Sequence, residues 1–299
     1  MRVLLTGANG QVGWELAKLA AKKGFGILAL DRAALDLTDS SSIHREVSGS
    51  GASVVVNAAA YTAVDQAESE PELAFAVNRD GPGYLASACA ETGIPLIHIS
   101  TDFVFNGKKR DPYLETDKVS PLNVYGKSKA AGEVVVGERL RQHIILRTSW
   151  VYGAHGHNFV NTMLRLGQEK ERVRVVNDQY GCPTHAVDIA EAILTIADQI
   201  VRGRQINWGI YHYCGKGVTT WYGFAQAIFA LVNPYTSLKV KRIEPIRTAE
   251  YPTPAERPAS SVLDCSLLEK EFGIRSRPWS ESLARMIKEM FSIKKPQNS

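Results

Sequence analysis

The chain predicts a doubly wound α/β fold, a parallel sheet covered by helices on both faces, with a smaller C-terminal α/β domain. Three observations predict it. Short β-branched apolar runs alternate with helical periodicity through the first 150 of 299 residues. Those runs are apolar at nearly every position, as strands covered on both faces must be. Beyond residue 150 the alternation loosens into longer helices and scattered strands. The expected division is residues 1–150 and 151–299, with parts of the second unit able to return to the first.

The elements follow in order. Strands are expected at 3–5, 27–30, 54–56, 96–99 and 143–146, and helices at 11–23, 40–47 and 124–136. A long helix is expected over 71–91, with Pro71 at its start and Gly93 just past its end. In the second unit, 159–169, 186–201, 221–231 and 279–291 read as helices, and 173–176 and 211–214 as strands. The prolines at 245, 252, 254 and 258 make 244–257 an ordered loop, and 294–299 is expected to fray.

Composition narrows the function classes. A net charge of +4, from 35 basic and 31 acidic residues, suits a small anionic ligand and not a nucleic-acid surface. The run Lys108-Lys109-Arg110 has no interleaved aromatic and reads as a solvated loop. Cys89, Cys182, Cys214 and Cys265 form no CxxC pair, so neither zinc nor a disulfide framework is expected. The N-terminus reads as a strand and not as a secretory leader. No stretch approaches the roughly 20 apolar residues of a membrane span, so a cytoplasmic location is expected.

The first strand runs into Thr6-Gly7-Ala8-Asn9-Gly10-Gln11-Val12-Gly13, a G-x-x-G-x-x-G turn. Gly7 permits the tight turn, Gly10 lets backbone approach a pyrophosphate, and Gly13 lets the helix lie against the strand. Such a turn between strand and helix is the dinucleotide-binding (Rossmann) arrangement, with phosphates over the helix N-terminus. Asp31 ends the second strand 18 positions after Gly13, where a carboxylate can accept from ribose hydroxyls, favouring NADH. Arg32 is placed to pair a 2′-phosphate, favouring NADPH, so the choice stays open. Asp36 and Leu37 are expected beside the adenine. The small residues Ala58, Ala59 and Ala60 after the third strand would let the cofactor lie along the sheet edge.

Tyr125-Gly126-Lys127-Ser128-Lys129 gives Y-x-x-x-K, which puts Tyr125 and Lys129 on one helix face. A free phenol has a pKa of about 10, and a nearby ammonium is expected to lower it. Thr101, in Ser100-Thr101-Asp102 at a strand end, is placed to hydrogen-bond a reacting carbonyl oxygen.

Together these segments resemble the extended short-chain dehydrogenase/reductase family. Leu4–Gly7, Gly10–Glu15, Val56–Asp65, Glu68–Pro71, Ser100–Phe105, Pro121–Lys127, Arg147–Tyr152, Asn177–Thr184 and Tyr251–Ala255 carry the likeness over nearly the whole chain. It is closer still to members that reduce dTDP-linked keto sugars. The resemblance implies reduction of dTDP-4-dehydro-L-rhamnose at C4 to dTDP-L-rhamnose, the donor for surface polysaccharide. Tyr125 would be the proton donor, Lys129 its electrostatic partner, and Thr101, Asp102, Trp150 and Arg257 would hold the sugar. Ala60, Tyr61 and Thr62 would line the cofactor. The chain departs from the family at Arg257-Pro258-Ala259-Ser260-Ser261, where Asn-Ser is usual. Some members dimerise through magnesium on three glutamates; Glu15 and Glu289 match two, but Val187 stands near the third. The resemblance therefore leaves both a homodimer and a bridging magnesium open, with the magnesium site incomplete at Val187.

Simpler roles compete at several positions. Trp150 is also a candidate core residue, Trp14 reads as packing, and His98 reads as a core histidine. His155 and His157 lack companion ligands for a metal. Asp65, Glu68 and Glu70 read as a solvated helix start. Three other functions fit the same residues: a reductase of another nucleotide-linked 4-keto-6-deoxy sugar, an epimerase with tightly held NAD, and a non-catalytic regulatory subunit. The intact Thr101, Tyr125 and Lys129 set argues against the last.

Overall fold

The computed structural model describes residues 1–292, and the stretch 294–299 expected to fray lies outside them. The first half runs β1 (Arg2–Thr6), α1 (Gln11–Lys22), β2 (Gly26–Leu30), α2 (Ser40–Gly49), β3 (Val54–Asn57), α3 (Val64–Ala67) and α4 (Pro71–Phe75). A π-helical turn (Ala76–Asp80) follows, then α5 (Gly81–Thr92), β4 (Leu96–Thr101), α6 (Val124–Arg139) and β5 (His143–Thr148). The second half continues with β6 (Val151–Tyr152), α7 (Phe159–Glu169), β7 (Arg172–Val176), β8 (Tyr180–Gly181), β9 (Thr184–His185), α8 (Ala186–Val201) and β10 (Gly209–His212). It ends with β11 (Thr219–Thr220), α9 (Trp221–Val232), β12 (Arg242–Ile246), α10 (Ser266–Phe272) and α11 (Trp279–Ser292).

The main sheet has six strands in the order β10-β5-β4-β3-β1-β2, every neighbouring pair parallel. Period-two alternation divides the strand residues between two cores. Val3, Leu5, Val54, Val56 and Ile97 face one side, where they meet Leu16 of α1 and Ile189 and Ile193 of α8. Leu4, Val55, Leu96 and Ile145 face the other, against Ile43 and Val47 of α2, Leu85 and Cys89 of α5 and Val136 of α6. The chain passes from β1 to β2 on one side and returns to β3 on the other. That reversal opens a crevice at the carboxyl ends of β1 and β3, where open α/β sheets bind ligands.

β10 and α8 both lie beyond residue 150 yet complete this sheet and its helical cover. A third core, including Tyr152, Val160, Phe224, Ile228, Leu283 and Met286, joins α7, α9 and α11. Among the described residues, no helix is long and apolar enough to cross a membrane.

Two expectations need correction. The helix over 71–91 is present but carries the π turn at Ala76–Asp80. The loop over 244–257 begins as strand: β12 pairs in parallel with β7, including Pro245 opposite Val175. β12 has a partner on one side only, so a residue without an N–H is tolerated there. The short helices α3 and α10 have no counterpart in the sequence reading.

Candidate active site

The glycine turn is shaped by contacts that no side chain would survive. Gly7 sits at φ +74°, and a Cβ on it would lie 2.5 Å from the Ala59 nitrogen. A Cβ on Gly13 would fall 2.1 Å from the Gly7 carbonyl oxygen. β1, the turn and the β3 terminus are therefore locked at backbone distance. The start of α1 has Gly10 at its N-cap and no side chain capping it. Its N–H groups and partial positive charge are left to a ligand.

A cleft of about 840 Å³ runs along this edge. Every residue expected at the cofactor lines it except Gly13, which the turn buries: Gly7, Asn9, Gly10, Gln11, Val12, Asp31, Arg32, Asp36, Leu37, Ala58, Ala59, Ala60, Tyr61, Thr62, Tyr125 and Lys129. Thr101, Asp102 and Trp150 line it too. Gln11 Oε1, Asp102 Oδ2 and Thr148 Oγ1 are buried there without hydrogen-bond partners. Buried polar atoms are normally paired, so three orphans lining one cleft fit a polar ligand such as a dinucleotide.

Asp31 has structural duties besides. Its Oδ1 accepts from the backbone N–H of Ala33 (3.1 Å) and Ala34 (3.0 Å), and its Oδ2 accepts from Asn9 Nδ2 at 2.9 Å. Arg32 is exposed, 3.9 Å from Asp36, and its guanidinium is open to an anion.

The helix carrying Tyr125 and Lys129 starts at Asn123, whose Oδ1 accepts from Gly126 N at 2.8 Å. A Cβ on Gly126 would sit 2.3 Å from the Phe103 carbonyl oxygen, and one on Gly132 2.1 Å from that of Asn78. α6 is thus pressed against the segment after β4 and against the π turn. Asn78 fastens that contact. Its Oδ1 accepts from Tyr61 N (2.8 Å), and its Nδ2 donates to Tyr61 O (3.0 Å) and Ser128 Oγ (3.0 Å). Farther along, Glu133 takes a buried two-pronged contact from Arg147 of β5, at 2.9 and 2.6 Å, and a 2.5 Å bond from Ser100.

Tyr125 meets Phe103 edge-on and hydrogen-bonds with the Thr101 side chain. The expected acidified phenol is not found. Burial pushes Tyr125 up to about 12, against the lowering bond to Thr101 and with the charge of Asp102 adding to the rise. Lys129 is buried, and its Nζ turns to Ile99 O (2.7 Å) and His98 Nε2 (3.3 Å). Burial lowers Lys129 to about 8, with Glu133 pulling the other way. Asp102 is raised to about 6 by burial, against the neighbouring Ser261 and Thr101 hydroxyls.

Beside the cleft is an aromatic pocket of about 340 Å³. Trp150 and Phe103 line both cavities, so the two meet there. Trp150 adopts φ +46°, a strained conformation for a bulky residue, and stacks on Trp221 with ring centroids 3.5 Å apart. Gly181 makes room: a Cβ there would lie 2.3 Å from the Trp150 ring. Arg257 lines the pocket, but its guanidinium grips Asp65 (2.9 and 2.7 Å) and Thr253.

The acidic cluster lies at helix starts and stays partly or wholly exposed, as the solvated reading expects, but each carboxylate also has a partner. Asp65 also accepts from Ala255 N, Glu68 from Val124 N, and Glu70 from the Tyr61 hydroxyl. Asp65 and Glu68 take donors that the fold brings from distant segments, and Glu70 takes one from nine residues away. His98 is a buried, hydrogen-bonded core residue, as expected. Trp14 stacks on His155 but stays exposed. Gly156 and His157 close over the cleft, which sequence reasoning missed, as it did Asn78, Glu133 and Arg147. Glu15 is buried and Glu289 exposed, and among the described residues no group of three or more His, Cys, Asp or Glu could hold a metal.

A dinucleotide crevice leading to a Thr-Tyr-Lys cluster defines an oxidoreductase of the extended short-chain dehydrogenase/reductase class. Within that class, the family described as RmlD substrate binding domain matches residues 1–292, and the chain belongs to it. It is 46% identical to a dTDP-4-dehydrorhamnose reductase from Sinorhizobium fredii, covering 96% of this chain and 97% of that one. A dTDP-4-dehydrorhamnose reductase structure from Clostridium acetobutylicum superposes with TM-score 0.90 at 39% identity, over 97% of this chain and 99% of its own. One from Bacillus anthracis, solved in complex with NADP, has TM-score 0.88 at 38% identity, over 96% and 99%.

Proposed function

We propose that this protein reduces dTDP-4-dehydro-L-rhamnose at C4 to dTDP-L-rhamnose, with NADPH as the reductant. The observation that carries the proposal is the meeting of the two cavities at Trp150 and Phe103, with Tyr125, Thr101 and Asp102 at the cleft end. A cofactor in the cleft supplies a hydride to the keto carbon. Gly7, Gly10 and the start of α1 would take its pyrophosphate. Arg32 would take a 2′-phosphate, since Asp31 is already committed to Asn9 and the turn. The aromatic pocket would take the sugar nucleotide, with Trp150 against it.

Tyr125 and Thr101 direct their hydroxyls at the C4 oxygen as negative charge grows on it, and Tyr125 releases its proton there. A donor must be protonated at working pH, and a phenol raised to about 12 is. The Thr101 hydroxyl donates to Asp102 Oδ1 at 3.1 Å, and it would have to rotate away from that carboxylate to donate its one proton to the C4 oxygen.

The test is cofactor oxidation against dTDP-, GDP- and UDP-linked 4-keto-6-deoxy sugars, with NADPH and NADH compared. Preferential turnover of the dTDP sugar with NADPH is the expected result. A preparation that holds NAD tightly and interconverts sugars without net oxidation would overturn it.

A further inference from the structure

The reductase chemistry uses none of the four cysteines, yet the fold gathers three of them. Cys182 follows β8, Cys214 follows β10 and Cys265 precedes α10, and they meet in a small core with Val104, Phe105 and Tyr113. Cys89 lies apart, in the core that faces α2 and α5. Within the trio, the sulfurs of Cys214 and Cys265 are 3.6 Å apart, although 51 residues separate them in the chain. The Cys214 N–H donates to Cys265 Sγ at 3.2 Å, and the Cys214 thiol reaches the Leu263 carbonyl at 3.6 Å. Neither cysteine lines the cofactor cleft or the aromatic pocket.

The two thiols are unlike. Cys214 is enclosed, and its bonds to Cys182 and Cys265, together with burial, push it well above the ordinary thiol value. Cys265 is only partly buried. The bond from the Cys214 thiol holds Cys265 below the ordinary value, with the Cys214 N–H helping and with burial and the Glu115 carboxylate opposing. We propose that Cys265 and Cys214 are a modification site, a dithiol that a peroxide oxidises to an intrachain disulfide. Cys265 is the attacking thiol, because it is the more accessible and forms a thiolate more readily. Cys214 is the protonated partner that resolves the first product.

The Cys265 thiolate attacks one oxygen of hydrogen peroxide. An S–O bond forms, the O–O bond breaks, and the departing hydroxide takes up the proton that Cys265 shed. The sulfur is now a sulfenic acid. The Cys214 sulfur then attacks Cys265 Sγ: the S–S bond forms, the S–O bond breaks, and the Cys214 proton leaves with that oxygen as water. In sum, two thiols and one peroxide become one disulfide and two waters. Closure brings the sulfurs to about 2.05 Å. Cys214 and Cys265 both lie outside strands and helices, so the movement falls on loops and not on the sheet. Cys182 is the less apt partner. It is buried, and its carbonyl is held by the Ser149 and Thr184 hydroxyls at 2.9 and 3.0 Å. The bond ties the segment that carries Ser261, a pocket-lining residue, to the carboxyl end of β10.

The experiment treats the purified, reduced full chain with hydrogen peroxide, blocks the remaining thiols with N-ethylmaleimide and maps the peptides by mass spectrometry. A Cys214–Cys265 link within one chain is expected, with Cys89 and Cys182 alkylated and the link reversed by dithiothreitol. Cys214→Ser should halt at a dimedone-reactive sulfenic acid on Cys265. Cys265→Ser should slow peroxide consumption roughly tenfold or more. A Cys182–Cys214 link, links only between chains, or Cys265 left reduced or overoxidised without a link in the wild type overturns the proposal. The wild-type map needs no variant, so it decides the matter even if a substituted chain misfolds. No cofactor or substrate is present, so failure here is distinct from failure of the reductase assay.

Discussion

The cofactor cleft and the aromatic pocket beside it are built by different means. The cleft wall comes from strand ends and turns, where short runs of backbone such as Gly7 to Gly13 and Ala58 to Thr62 do the shaping. The pocket is assembled from side chains of distant segments: Phe103, Trp150, Phe159, Trp221 and Arg257. Backbone walls can recognise what every dinucleotide shares, phosphate and ribose. Side-chain walls can be exchanged without disturbing the sheet, so the pocket is where substrate choice belongs.

The comparison can be broken most forcefully behind the cleft. Arg147→Met leaves the Glu133 carboxylate buried without its counter-charge, held only by Ser100, and should lower stability by about 3–5 kcal/mol in denaturant unfolding. A loss near zero would mean that α6 is not anchored through this pair. Next comes chemistry. Tyr125→Phe should cut kcat by roughly a hundredfold or more while the affinity for NADPH, measured by fluorescence titration, barely moves.

Asp102 sharpens the contrast between stability and function. Its folded-state pKa of about 6 lies above the ordinary 3.8, so the ionised form is the one that folding penalises. Below both values there is no penalty; it grows as pH rises from about 4 to 6 and is complete above. Asp102→Asn should therefore be more stable than wild type at pH 8, by up to about 3 kcal/mol, with the gap closing near pH 4. Equal melting at both pH values would refute the burial argument. The smallest effect is expected in the pocket. Trp221→Ala removes the ring under Trp150 and should raise KM for the sugar nucleotide about tenfold or less, leaving that for NADPH unchanged.

The same contrast governs what was legible in the sequence. Gly7, Gly10 and Gly13 mark a turn whose geometry is local, and Tyr125 and Lys129 share a face by helical spacing alone. Strand alternation such as Val3, Leu4, Leu5 was readable because each strand is covered on both faces. Asn78 carries no local signal, since its partners Tyr61 and Ser128 are 17 and 50 residues away. The acidic residues 65, 68 and 70 read as solvated surface, and spacing does not show their bonds to Arg257, Val124 and Tyr61. The acidified tyrosine followed from spacing, but spacing does not reveal that Lys129 Nζ turns to His98 and Ile99. Pro245 reads as a breaker only until β12 is known to be an edge strand.

The central claim is that the cleft delivers a hydride to C4 of a sugar seated in the pocket. NADPH deuterated at nicotinamide C4, incubated with this protein and dTDP-4-dehydro-L-rhamnose, tests it directly. One deuterium on C4 of dTDP-L-rhamnose, read by NMR, is the predicted result. Product without deuterium at that carbon, or cofactor left unoxidised, would contradict it.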